Sequence, residues 1–172
     1  MKKIIVITML LFIAPTLKSQ VAIGKQNVTN TSVSLEFADT ENRGIILPYI
    51  EDKSSITENG TIIYDVSDYK IKYLKNNAWF DLSIDNTGAA DLSPQVSKAE
   101  LPGAKTTIGN DAAADTTPGI LVLADNNKAM ILPKVAEPHL NIIDPSAGMM
   151  VYDTVNRQLA VYNGTVWSFW KP

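Results

Sequence analysis

The clearest pattern in the chain lies near its C-terminal end, where short runs of β-forming residues alternate with turn residues. The runs cover residues 148–153, 159–162 and 166–170, and each has the length of a strand. Asn163-Gly164 separates the last two runs and predicts a tight type I′ turn, because both residues tolerate the positive φ angles that this turn requires. The pattern predicts a three-stranded antiparallel meander.

The same succession occurs once more, earlier in the chain. Residues 61–66, 70–74 and 78–82 repeat the three runs, and residues 34–38 and 120–124 predict a short strand upstream of each meander. Each upstream strand is followed by a turn and an Ile-Leu-Pro sequence, whose proline suits the end or the edge of a strand. The predicted fold class is therefore mainly β, with two homologous small β modules joined by a linker.

A sequence repeat supports this prediction. Residues 23–48 align with residues 108–133 at a constant offset of 85, and residues 60–82 align with residues 148–170 at an offset of 88. The 49 aligned pairs contain 11 identities, and most other pairs keep their polarity, which indicates one module used twice. The identical positions of the two meanders are Gly60, Tyr64, Asp65 and Trp79 in the first, and Gly148, Tyr152, Asp153 and Trp167 in the second.

The start of the chain has the pattern of an export signal. Lys2 and Lys3 precede an apolar run from Ile4 to Ala14, and Ser19 supplies a small residue at the expected cleavage position. Because this run is shorter than the roughly 20 apolar residues of a membrane-spanning helix, it predicts a cleaved signal peptide. The sequence continues without a second long apolar run, so no membrane span is expected in the mature chain.

The predicted segments are a signal peptide at 1–19, β module 1 at 20–84, a linker at 85–105 and β module 2 at 106–172. The linker is rich in Ala, Ser and Gly and has no sustained apolar period, with at most a short helical turn at 96–101. A module of about 60 residues is close to the lower size limit for an independent core. Pairing of the modules, or of several chains, is therefore expected.

The composition excludes several classes of function. Without the predicted signal peptide the chain carries 12 basic and 18 acidic residues, so it lacks the basic stripe that binds phosphates. Nucleic acid is therefore not expected as a partner. The chain has no cysteine, which excludes thiol catalysis and cysteine-ligated zinc.

The sequence shows no set of residues that suggests catalysis, a cofactor or a metal. His139 is the only histidine and follows a proline, which predicts a loop position without the partners that nucleophilic chemistry needs. The acidic cluster at 111–115 lacks the spacing of a calcium loop, and Asp65 and Asp153 are predicted to cap turns. The chain is thus predicted not to be an enzyme.

Aromatic residues leave a second interpretation open. Trp79 and Trp167 occupy one position of both modules, which favours packing in the core over stacking on a sugar. Trp170 has no aromatic counterpart in the first module. Together with Tyr162 and Phe169 it forms the candidate binding surface of a small secreted carbohydrate-binding protein.

Several motifs resemble a known family. Gly148-Met-Met-Val-Tyr-Asp-Thr154, followed by residues 159–167, resembles a short hairpin of phage tail-fibre-like proteins. Val21-Ala-Ile-Gly24 and Arg43-Gly-Ile-Ile-Leu-Pro48 complete a pattern that is similar to the module of exported tail-fibre-like and adhesin-like surface proteins of the Bacteroidetes. The resemblance covers nearly the whole mature chain, in two copies.

This resemblance implies an extracellular, non-catalytic and often trimeric β-structure that serves attachment or assembly. We therefore predict a non-enzymatic exported structural or adhesive protein of the cell surface, the extracellular space or the periplasm. The alternative is the small secreted carbohydrate-binding protein. Expected partners are other proteins or copies of the chain itself, as in a trimer, and surface glycans, and no cofactor is expected.

Overall fold

The computed structural model describes residues 19–101 and 103–171 as a succession of short β-strands with two single-turn helices. The predicted mainly β fold class is confirmed. The predicted signal peptide, residues 1–19, lies outside the described residues except for Ser19. In the part of the chain that the structure describes, no helix has the length and apolar character needed to cross a membrane.

The strands follow one another in the same order in the two halves of the chain. The first half contains β1 (Val21–Ile23), β2 (Val33–Phe37), β3 (Ile45–Ile46), β4 (Tyr49–Ile50), β5 (Ile62–Asp65), β6 (Lys70–Lys75) and β7 (Ala78–Asp81). Helix α1 (Ser93–Val96) follows. The second half contains β8 (Thr106–Ile108), β9 (Leu121–Leu123), β10 (Ala129–Ile131), β11 (Lys134–Val135), helix α2 (Pro138–Asn141), β12 (Met149–Asp153), β13 (Gln158–Tyr162) and β14 (Trp167–Trp170). Strands β1 to β7 thus correspond one by one to β8 to β14.

Both predicted meanders are present, as β5–β6–β7 and β12–β13–β14, and both are antiparallel. Each gains a parallel strand at one edge, β4 beside β5 and β11 beside β12. A parallel neighbour needs a crossover connection, which here is residues 51–61 in the first half and residues 136–148 in the second. In the second half the crossover brings Ile142 against Val151 and Ala160.

Two strands leave their own half and pair with the other half. β3 adds antiparallel to β12, with Ile45 opposite Met150 and Ile46 opposite Met149. β10 adds parallel to β2 and completes the sheet β1–β2–β10. The halves are therefore interleaved, and the division into β module 1 at 20–84, a linker at 85–105 and β module 2 at 106–172 stays a prediction.

The hairpin turns differ from the expected pattern. The predicted type I′ turn at Asn163-Gly164 is wrong, because only Gly164, with a φ of 100°, has a positive φ, whereas type I′ needs two. The side chain of Asn163 orders this loop by accepting two backbone N–H groups. The paired positive φ angles occur in the first half instead, at Asn76 and Asn77.

The alignment of the repeats needs one correction. Val21 lies opposite Leu35 in the first half, and Thr106 lies opposite Leu121 in the second. The first strands therefore keep the offset of 85, whereas β2 and β9 correspond at an offset of 86. A slip of one residue matters, because it moves every side chain of a strand to the other face.

The predicted linker begins as a packed segment. Ala89 donates its backbone N–H to the carbonyl of Asn163 at 3.1 Å. A Cβ added to Gly88 would lie 2.3 Å from the carbonyl oxygen of Tyr69. By contrast, residues 93–101 are all exposed, so only the later part of the segment is free to act as a linker.

Candidate functional site

The candidate functional site is the apolar face on which the two meanders meet. Burial of apolar surface, at about 25 cal/mol per Å², is the main force that holds such a face together. Each half contributes three buried residues to its centre: Leu47, Tyr64 and Ile71 from the first, and Ala147, Met150 and Val161 from the second. Residues at the same position of the two meanders are not buried equally in this face.

Tyr64 lies at the centre of this face and is fully buried. Its hydroxyl donates a hydrogen bond to the carbonyl of Asn163 at 2.8 Å, and its ring lies 5.0 Å from the ring of Tyr49. Burial raises the pKa of Tyr64, so the hydroxyl stays protonated and remains a donor. Gly148 leaves room for this packing, because a Cβ there would lie 3.2 Å from the Cβ of Tyr64.

Tyr152 is the counterpart of Tyr64, yet its surroundings are different. Tyr152 is 37% exposed, whereas Tyr64 is 0% exposed. The next positions follow the same trend, since Ile71 is buried and its counterpart Leu159 is half-buried. Nothing lies within 4 Å of a Cβ added to Gly60, the counterpart of Gly148. The repeat positions of the meanders therefore contact their surroundings asymmetrically.

Asp153 is a buried carboxylate that organises the turn after β12. Its Oδ1 accepts the backbone N–H groups of Val155 at 3.0 Å and Glu137 at 3.2 Å, and its Oδ2 accepts the side-chain amide of Asn156 at 2.9 Å. Burial by itself would raise the pKa of Asp153, but these hydrogen bonds outweigh it and lower the pKa. Asp153 thus ties the crossover to the meander.

Asp65 occupies the same position in the first half, and its carboxylate forms ion pairs with lysine side chains in addition to hydrogen bonds. Its Oδ2 lies 2.6 Å from Nζ of Lys53 and 3.1 Å from Nζ of Lys72. Burial alone would raise the pKa of Asp65, but the hydrogen bonds from Lys53, Ser67 and Lys72 hold it well below its usual range. The ion pairs join Asp65 to the loop before β5 through Lys53 and to β6 through Lys72.

Glu36 is a buried charge that the sequence did not single out. It is 1% exposed, and its carboxylate accepts bonds from Nζ of Lys25 at 2.7 Å and from the backbone N–H of Thr29 at 2.6 Å. Burial would raise its pKa, but these bonds lower it to about 2. An acidic residue between Leu35 and Phe37 in a short strand gave no signal beyond breaking the apolar run.

Trp79 and Trp167 are both half-buried, so part of each ring faces solvent. Trp167 packs beside Tyr162, with 5.1 Å between the ring centroids, and lies 6.4 Å from Phe169. Trp79 lines a shallow groove with Leu74 and the crossover of the first half. The core role of the two tryptophans stays a prediction.

The three aromatic residues of the predicted sugar-binding surface do not share one face. Trp170 lies opposite Leu159 and Phe169 lies opposite Ala160, and adjacent residues of a strand point to opposite faces. Phe169 and Tyr162 pack under the crossover, whereas Nε1 of Trp170 donates to the carbonyl of Leu82 at 2.6 Å. The structure therefore does not bring the three together, and a role in carbohydrate binding stays a prediction.

His139 lies in α2, with its ring edge-on to Phe169 at 5.7 Å. It is exposed to solvent, as predicted, but it lies in a single-turn helix and not in a loop, and its ring contacts the meander. Among residues 19–101 and 103–171, no group of three or more His, Cys, Asp or Glu side chains is placed to hold a metal ion.

Comparison with known proteins gives one similarity. No match was found among curated proteins or among solved structures. Residues 103–171, under half of the chain, match the family model described as the phage tail like trimerisation region. The match extends from the end of the predicted linker to the residue after β14. Over this part the chain is similar to a phage-tail-like trimerisation region, which supports the tail-fibre-like resemblance and fits a structural, fibre-type protein.

Proposed function

We propose that the protein is a non-enzymatic, exported structural protein that associates with copies of itself in a tail-fibre-like assembly. The observation that carries this proposal is the similarity of residues 103–171 to a phage tail like trimerisation region. The fold supports it, because short strands in small sheets leave edges and half-buried apolar residues that a neighbouring chain can cover. A trimer is the state that the matching description favours.

Duplication and export are parts of the same proposal. The identities between residues 60–82 and 148–170, together with the same order of seven strands in each half, support one module used twice. The basic start and apolar run of residues 1–19 support export. Attachment to a surface would then be a property of the assembled particle.

Sedimentation velocity of the purified protein tests self-association. We expect a particle with three chain masses that persists on dilution into the micromolar range. A single-chain species at high concentration would contradict the proposal. N-terminal sequencing of the protein recovered outside producing cells tests export, and a chain that begins near Gln20 is expected, whereas recovery of Met1 would contradict it.

A glycan array separates the proposal from the carbohydrate-binding alternative. An assembly protein should show no preference among sugars. Selective binding that Trp170→Ala abolishes would favour the alternative, because Trp170 is 41% exposed and could stack on a sugar ring.

A further inference from the structure

The contact between the two halves is heterologous, which means that it joins different parts of two corresponding meanders. In a contact with two-fold symmetry, Tyr64 and Tyr152 would be equally buried. They are 0% and 37% exposed. Met150 is likewise 2% exposed, whereas its counterpart Ile62 is half-buried. A heterologous contact between two repeats leaves on each of them a surface that is at most partly used.

The less covered part of the second half consists of Tyr152, Leu159 and Trp170, and we call it the second-half surface. Leu159 packs against the edge of the core between the halves and Nε1 of Trp170 donates to the carbonyl of Leu82, so this surface is only partly used within the chain. Tyr152 and Trp170 are 37% and 41% exposed, and Leu159 is half-buried. The corresponding residues of the first half pack within the chain: Tyr64, Ile71 and Leu82.

The less covered part of the first half consists of Ile62, Tyr73 and Phe80, which we call the first-half surface. Ile62 packs against the edge of the core between the halves, so this surface too is only partly used within the chain. Phe80 is 43% exposed and stacks on Tyr73 with 5.4 Å between the ring centroids. Ile62 and Tyr73 are half-buried. The corresponding residues of the second half are all buried: Met150, Val161 and Ser168.

We infer that the second-half surface of one chain packs on the first-half surface of a second copy, and so repeats between chains the contact that the halves make within one chain. The inference rests on the proposed function and assigns the surfaces through which the copies associate. In this contact the Tyr152 hydroxyl of one chain donates a hydrogen bond to the carbonyl of Lys75 in the second copy. The bond corresponds to the one that Tyr64 makes to the carbonyl of Asn163 within the chain.

The strand edges lead to the same pairing. Within the chain, Ile45 and Ile46 of β3 pair with the start of β12. The corresponding pair joins Met130 and Ile131 of one chain to the start of β5 in the next. Among the described residues, the edge of β5 that would receive them pairs with β4 only at Tyr64 and Asp65, so its first residues are open.

The surroundings of two glycines agree with this pairing. Gly148, just before β12, has Tyr64 and Tyr49 within 3.4 Å of an added Cβ. Gly60, just before β5, has open space at the same place. A second copy would fill that space with Tyr152 and Lys134, the counterparts of the two tyrosines.

The pairing of β10 with β2 also has a counterpart between chains, which is β3 of the second copy beside β9. β2 carries β10 on one edge, but its counterpart β9 is paired only with β8 among the described residues. Leu121 of β9 is 48% exposed, and Ile46 of β3 is 54% exposed. β3 of the second copy therefore fits beside β9. Because heterologous contacts close into a ring or run on as a filament, the similarity to a trimerisation region favours a closed ring of three chains.

Disulfide cross-linking tests the pairing directly, since the chain has no cysteine of its own. Facing residues of antiparallel strands have Cα atoms about 4.5 to 5.5 Å apart, which suits a disulfide. Mixing Met130→Cys protein with Ile62→Cys protein under oxidising conditions should give a linked pair of chains. The double variant Ile45→Cys with Met150→Cys should close a bond within one chain and shows that the geometry permits it.

The matched control mixes Met130→Cys protein with Leu140→Cys protein, because Leu140 is 66% exposed and lies in α2, outside the first-half and second-half surfaces. Linking no greater than in this control, with a wild-type protein that still sediments as an oligomer, overturns the inference and leaves the proposed function standing. A single-chain wild type overturns the proposed function and the inference with it.

Mixing of charged variants distinguishes a heterologous contact from a symmetric one. Tyr152→Arg blocks the second-half surface and Phe80→Arg blocks the first-half surface, so each variant alone should sediment as single chains. Their mixture should form a dimer, because each chain keeps the surface that the other needs. Absence of that dimer overturns the inference. Ile143→Arg, at a residue that is 86% exposed, is the control and should assemble like the wild type.

Discussion

Replacement of the two corresponding tyrosines by alanine should have very different effects on stability. Tyr64 is fully buried between the meanders, whereas Tyr152 is 37% exposed. Truncation of a buried aromatic residue to alanine costs about 3 to 5 kcal/mol, because the lost contacts leave a cavity. The hydrogen bond to the carbonyl of Asn163 is lost as well, at about 1 kcal/mol, since that carbonyl keeps the N–H of Ala89 at 3.1 Å.

We therefore expect Tyr64→Ala to lower the free energy of unfolding by about 4 to 6 kcal/mol, and Tyr152→Ala by less than about 1 kcal/mol. Domains of this kind are stabilised by only about 5 to 15 kcal/mol, so Tyr64→Ala could fail to fold. Tyr64→Phe keeps the ring and should cost about 1 kcal/mol, which stays measurable.

The assay is urea denaturation followed by tryptophan fluorescence, at a dilution where the wild type sediments as single chains. Contacts between chains then do not contribute to the free energy of unfolding. Equal losses from Tyr64→Ala and Tyr152→Ala at this dilution would refute the asymmetric packing, and so would a Tyr64→Ala protein as stable as the wild type.

Acidification should weaken the fold near Glu36, whose folded pKa of about 2 lies below its ordinary value of 4.5. The stabilisation is therefore full above about pH 4.5 and is lost as the pH falls toward 2, and urea titrations along this range should show a smaller loss for Glu36→Gln. Gly88→Ala should cost about 3 kcal/mol in thermal unfolding, because its Cβ would meet a carbonyl oxygen at 2.3 Å. Gly103→Ala should cost only about 1 kcal/mol, since its Cβ enters open space and only the positive φ is strained. Limited proteolysis should cut first within residues 93–101, which are all exposed, and a first cut inside either meander would contradict the account.

Local features of the sequence predicted the meanders well. Alternating runs and turn residues are short-range signals, and the strands at Met149–Asp153 and Gln158–Tyr162 begin within one residue of the predicted runs. The turn type was harder, because asparagine and glycine both accept positive φ and the side-chain bonds of Asn163 decide the outcome.

The exchange of β3 and β10 between the halves could not be predicted from the sequence. Which distant edge a two- or three-residue strand joins depends on tertiary contacts, and its own residues carry almost no signal for it. The repeat itself concealed the asymmetry, since Tyr64 and Tyr152 are the same residue at the same position. Only the packing shows that Tyr64 is buried and that Tyr152 is partly exposed.

Native mass spectrometry of mixed isotopes tests self-association most directly. Unlabelled and ¹⁵N-labelled chains are mixed, unfolded, refolded together and measured as intact particles. A trimer predicts four masses, which correspond to particles with none, one, two or three labelled chains. Two masses only, one for each single chain, would contradict the central claim that this protein works as an assembly of its own copies.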